Sequence, residues 1–182
     1  MNIESFLTEP FKFIDGVYVF IEDSHYSETF GLQWSKFSKT QLDSFNKQTR
    51  SKIRFETETG WTSIELENRT VIDAGCGSGR FSEIALSMGA EVISIDSSKA
   101  VFAARSNLSP HRSHLIQCDL TKIPLPDNSA DYVFCIGVLQ HTSLPHKVIS
   151  ELLRVVKSGG EFVITFYEKT GFQTLQIGRA HV

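Results

Sequence analysis

Residues 70–81 read TVIDAGCGSGRF. An apolar, β-branched run ends at Asp73, small residues then alternate with Gly75, Gly77 and Gly79, and a helical pattern resumes at about Gly79 and runs to Met88, closed by Gly89. The spacing is D-x-G-x-G-x-G between a strand and a helix. Glycines let the backbone approach a ligand closely at such a turn, and in open α/β sheets ligands bind in the crevice beyond the strand ends. The stretch therefore predicts the first strand and first crossover of a doubly wound sheet.

Working outward, the same alternation repeats. EVISID (91–96) reads as a second strand, 100–107 as a helix halted before Pro110, and HLIQCD (114–119) as a third strand. After the proline-rich TKIPLPDNSA, the run DYVFCIGV (131–138) has the continuous apolar character of a strand buried on both faces. A helix over 144–157 places Val148, Leu152, Val155 and Val156 on one face and leads into EFVITFY (161–167). Five parallel strands in a Rossmann-like α/β fold are expected.

The 182 residues suit one such domain with an N-terminal extension. The expected division is an extension over 1–69, a cofactor domain over 70–176 and a tail over 177–182. Within the extension, 14–22 reads as a short strand, and Tyr26, Phe30, Trp34 and Phe37 recur at helical spacing, as a packed stripe or a lid over the ligand. A hydrophobic content of 41% and net charge of −3 fit a soluble globular protein, and the lack of a basic surplus argues against nucleic acid as a partner. Cys76, Cys118 and Cys135 show neither disulfide nor zinc-site spacing, so no metal is expected. There is no signal-peptide pattern and no run near the ~20 apolar residues of a membrane span, which places the protein in the cytoplasm.

Three carboxylates end three successive strands: Asp73, Asp96 and Asp119. A dinucleotide would call for a small residue where Arg80 stands, and its diphosphate would be repelled by Asp73, whereas a cationic ligand suits the site. Asp96 is placed to accept hydrogen bonds from both hydroxyls of a ribose, and Asp119 from an adenine amino group with Leu120 packed on the ring.

Together the segments VIDAGCGSG, EVISID, QCDLTKIPLPDNSADYVFCIGVLQH and LLRVVKSGGEFVIT make the chain resemble class I S-adenosylmethionine-dependent methyltransferases over about 70–166, in particular the small-molecule branch that includes quinone-biosynthesis enzymes. The resemblance implies S-adenosylmethionine as cofactor. Its binding residues would be Asp73, Gly75, Cys76, Gly77 and Gly79 near the methionine part, Asp96 and Ser97 at the ribose, Asp119 and Leu120 at the adenine, and Ile136 with Gly137 along the border. His141 is a candidate proton acceptor from the methyl acceptor. Gln33 and Trp34 are pocket candidates in a lead-in helix, and Arg54 is a possible partner for the cofactor carboxylate, otherwise a solvated helix arginine. Many relatives of that subset carry a zinc ribbon ahead of this helix, but residues 1–23 contain no cysteine.

The expected activity is methyl transfer to an oxygen, nitrogen or carbon of a small molecule. A non-catalytic binding module and a nicotinamide-dependent oxidoreductase are the rival readings. The resemblance also implies a helix and an antiparallel strand pair after EFVITFY, and IGRAHV (177–182) matches the translation of a common sequencing adapter, so the fold is expected to end early with that strand as an exposed edge.

Overall fold

A computed structural model describes residues 2–21, 39–108, 112–167 and 174–181. The candidate lid stripe, with Gln33 and Trp34, lies outside these residues. Strands β1 (Lys12–Ile14), β2 (Val17–Val19), β3 (Thr70–Ala74), β4 (Glu91–Asp96), β5 (Ser113–Gln117), β6 (Ala130–Ile136), β7 (Val156–Tyr167) and β8 (Thr174–His181) form a single sheet. Its order is β1-β2-β5-β4-β3-β6-β7-β8. The five expected strands, β3 to β7, run parallel to one another, and strand order reverses at β3, which lies between β4 and β6. Such a reversal opens a crevice at the carboxyl ends of the strands, beside the glycine loop.

The helices are α1 (Asp43–Asn46), α2 (Arg50–Thr59), α3 (Ser63–Leu66), α4 (Arg80–Ser87), α5 (Ala100–Asn107) and α6 (Pro145–Val155). Central strands bury both faces, which is why they read as unbroken apolar runs: Ile72, Ile93, Ile95, Ile116, Val133 and Ile164 join Val148 and Leu152 of α6 in one core. Val71, Val92, Phe134 and Val163 join Phe55, Trp61 and Phe81 in another. Trp61 is buried with its indole N–H satisfied, donating to Glu161 Oε2 at 2.8 Å. Asp43 fixes the start of α2 by accepting from Ser51 N (3.0 Å) and Lys52 N (2.9 Å), donors that have no partner inside the helix.

The structure differs from the sequence reading at both sheet edges. The single strand expected over 14–22 is a hairpin, because Asp15 and Gly16 both take positive φ (47° and 82°) and reverse the chain between β1 and β2. β2 then pairs parallel to β5. At the opposite edge the sheet does not end at EFVITFY: β8 lies antiparallel to β7, with Phe162 opposite Ala180 and Thr165 opposite Gln176. An apolar strand with a row of unpaired N–H and C=O groups pairs with whatever extended segment follows it. Among the described residues, no helix is long and apolar enough to cross a membrane.

Candidate functional site

The glycine loop leaves β3 under a double anchor. Gly75 N and Cys76 N both donate to the Ile95 carbonyl, at 2.7 and 2.9 Å. Gly75 has φ +88°, and a side chain there would run into Val138, whose Cγ1 would lie 2.6 Å from a Cβ. At Gly77, φ is +54° and a Cβ would meet nothing within 4 Å. The first glycine is thus required by close packing, and the second faces open space. Gly79 precedes α4, Cys76 is buried, and the Ser78 hydroxyl is buried without a hydrogen-bond partner.

Asp96, half-buried at the end of β4, is held by the protein itself. Its Oδ2 accepts from Gly77 N (2.8 Å), and its Oδ1 accepts from Ser98 N (2.8 Å) and Ser98 Oγ (2.7 Å). An ionised carboxylate offers about four acceptor positions, so one position on Oδ2 stays open. The protein thus leaves this carboxylate one acceptor position for a ligand, where the sequence reading expected two. Ser98 was not among the expected site residues. Ser97, the residue singled out there, is exposed, and its carbonyl accepts from Gln117 Nε2 at 3.3 Å.

Asp73 is 3% exposed beneath the loop. Burial, reinforced by the Asp96 charge, pushes its carboxyl up to about 7, against the opposing pull of the bond from Ser82 Oγ at 2.6 Å. Burial likewise raises Asp96. Two carboxyls with raised affinity for protons make the region receptive to a cation. Burial and the nearby carboxylates push the Cys76 and Cys135 thiols up, so neither supplies a thiolate.

Asp119 is exposed two residues beyond β5, which ends at Gln117 and not at Asp119 as expected, and its Oδ1 accepts from Thr121 N at 2.8 Å. Leu120 is only 6% exposed and belongs to the core around Ile95 and Ile123, which limits the surface it offers to a ring. Ile136 ends β6 and Gly137, with φ +69°, follows it. His141, itself exposed, closes a 3-10 turn, Leu139–His141, just beyond, with Leu139 buried in the core. The Gln140 amide donates to Gly137 O at 2.8 Å and lies 3.4 Å from His141 Nε2. Arg54 is not a solvated helix arginine: its Nε donates to Glu58 Oε1 at 2.6 Å and its guanidinium lies over the ring of the core residue Phe81, because that ring and an i+4 carboxylate are both within its reach. Ser82 and Ser94 were not legible as site residues, since a serine inside a helix or strand carries no local sign of what it faces across the fold, and Ser98 lies in the bend between β4 and α5, where a serine reads as ordinary turn chemistry.

A glycine loop at a strand-order reversal, with carboxylates at the ends of β3 and β4 and beyond β5, defines a Rossmann-like cofactor-binding domain. Residues 72–164 match the family model described as "Methyltransferase domain", and the chain belongs to that family, whose cofactor is S-adenosylmethionine. It is 38% identical over 105 residues to a tRNA U34 carboxymethyltransferase of Shewanella sp. (strain ANA-3), covering 54% of this chain and 32% of that protein. It is 34% identical over 98 residues to a malonyl-[acyl-carrier protein] O-methyltransferase of Buchnera aphidicola, covering 54% of this chain and 39% of that one. The chain thus spans about a third of the length of these curated relatives. Among solved structures, a methyltransferase from Aquifex aeolicus superposes with a TM-score of 0.60 at 24% identity, over 78% of this chain and 75% of that one, a likeness of fold.

Proposed function

We propose that the chain transfers the S-adenosylmethionine methyl group to an oxygen, nitrogen or carbon atom of a small molecule. The observation that carries the reading is the fit of the cradle to that cofactor: the open side of Gly77, the one free acceptor position on Asp96, and the unpartnered hydroxyl of Ser78 all await polar atoms of a ligand. When bound, the cofactor supplies a methyl group already activated by a positive sulfur. The protein's work is then to orient two reactants and exclude water.

In this reading Asp96 receives a ribose hydroxyl in a charge-assisted bond while Gly77 N holds the carboxylate in place. Asp119 accepts from the adenine amino group, and Gly75, Cys76, Gly79, Ile136 and Gly137 line the cofactor through backbone and short side chains. Asp73 contributes negative charge below the loop. His141, exposed at the lip, takes the proton that an oxygen or nitrogen acceptor must lose. A net charge of −3 favours a small acceptor over a polyanion.

A second reading, an RNA acceptor, is favoured by one observation, the relative that is named for a tRNA uridine. Incubation with methyl-labelled S-adenosylmethionine and fractionated cell extract tests both. Label in the small-molecule fraction supports the proposal, and label confined to RNA supports the second reading.

A further inference from the structure

Beneath the glycine loop, three side chains from three elements form one hydrogen-bonded line. Ser82 Oγ on α4 donates to Asp73 Oδ2 at 2.6 Å, and Ser82 Oγ lies 2.8 Å from Ser94 Oγ on β4. Ser82 and Ser94 are both wholly buried, and Ser94 is the register partner of Asp73 on the neighbouring strand. A hydroxyl has one proton to give. Because the Ser82 proton is committed to Asp73, Ser94 must donate to Ser82, and the line runs in one direction: Ser94 to Ser82 to Asp73. The Ser82 backbone N–H favours the ionised Asp73 carboxyl in the same sense as the hydroxyl.

We propose that Ser82, backed by Ser94, is the positioning residue that sets the charge of Asp73 under the cofactor loop and thereby the pH at which the site accepts its cationic cofactor. This rests on the cofactor assignment of the previous section. Ser82 donates to the ionised carboxylate, which favours ionisation, while the Ser94 proton strengthens Ser82 as a donor by polarising its oxygen. The ionisable groups that face Asp73 are Asp96 at the end of β4, Cys76 in the loop and Cys135 on β6. Asp96 opposes ionisation and the two thiols are neutral, so the serine line is the chain's own counterweight to burial. An arriving sulfonium and ammonium complete the ionisation that the serines prepare.

The test is a set of calorimetric titrations with S-adenosylmethionine across the neutral pH range, on the wild type, Ser82→Ala and Ser94→Ala. Neutral 5′-methylthioadenosine serves as the reference ligand. The wild type is expected to tighten toward S-adenosylmethionine as pH rises through about 7, where Asp73 loses its proton. Its affinity for methylthioadenosine should stay flat. Ser82→Ala should move the rise to higher pH by about one to two units, the worth of a hydrogen bond to a charged group. Ser94→Ala, which leaves the direct bond intact, should move it less and in the same direction. The cofactor's own amine titrates identically with all three proteins, so only the difference between them is read. A wild type that binds with no pH dependence overturns the inference alone, as does a folded Ser94→Ala or Ser82→Ala with an unmoved midpoint. A wild type that does not bind S-adenosylmethionine overturns the cofactor assignment together with it.

Discussion

Replacing Asp96 by Asn changes one atom and leaves the shape intact, which makes it the most informative perturbation of the cradle. The carboxylate accepts from Gly77 N, Ser98 N and Ser98 Oγ, with one acceptor position open. An amide has one acceptor oxygen. If that oxygen serves Ser98, the amide nitrogen faces Gly77 N, donor against donor, and the open position is lost. If it turns to Gly77, both Ser98 donors lose their partner. The ligand therefore forfeits a charge-assisted bond worth about 1.5–3 kcal/mol, or roughly 10- to 150-fold in affinity. Because Asp96 is half-buried, water can reach the freed protein donors, and the fold should survive with a loss of about 1–2 kcal/mol. Calorimetric titration with S-adenosylhomocysteine, beside thermal unfolding followed by circular dichroism, reads both quantities. A folded Asp96→Asn protein with less than about a threefold loss of affinity would refute the placement of the ribose at this carboxylate.

Three further outcomes follow from the geometry. Asp73 ionises with more difficulty folded than unfolded, about 7 against 3.8, so its contribution to stability is fully present below 3.8 and is lost as pH rises through 7, in total about 4 kcal/mol; Asp73→Asn should flatten that decline in urea unfolding midpoints measured from pH 5 to 8, and an unchanged slope would count against it. Gly75→Ala should be strongly destabilised, since positive φ costs about 1–2 kcal/mol and the new methyl strikes Val138, whereas Gly77→Ala carries only the φ cost and should keep the fold while weakening the cofactor; equal melting temperatures for the two variants would contradict this. His141→Ala should lower kcat by more than it lowers cofactor affinity, because a proton acceptor acts on the second substrate, and parallel losses in both would demote it to a structural residue.

How far the sequence reads depends on whether the deciding contact is local. β4 and α5 were legible to the residue because both are bounded by turn or capping signals and filled by regular patterns. The hairpin was not, although Asp15-Gly16 is a strong turn signal, since it interrupts an apolar run short enough to pass for one strand. The carboxylates stood out because three acids follow apolar strand runs one after another, although each is offset by two residues from the next in the sheet, Asp73 pairing with Ser94 and Asp96 with Gln117. Ser82 and Ser94 did not, because what they do depends on β3, β4 and α4 meeting, and pairing across strands has no local signature. The placement of Leu120 in the core shows the converse: an apolar residue beside a site acid is claimed by the sheet it covers.

The central claim is that this cradle holds S-adenosylmethionine and not a dinucleotide. Titration calorimetry of the wild type and of Asp96→Ala with S-adenosylmethionine and with NADH tests it most directly. The account predicts saturable binding of S-adenosylmethionine at one site, lost or greatly weakened in Asp96→Ala, and no heat with NADH. Saturable binding of NADH, or affinity for S-adenosylmethionine that Asp96→Ala leaves unchanged, would contradict it.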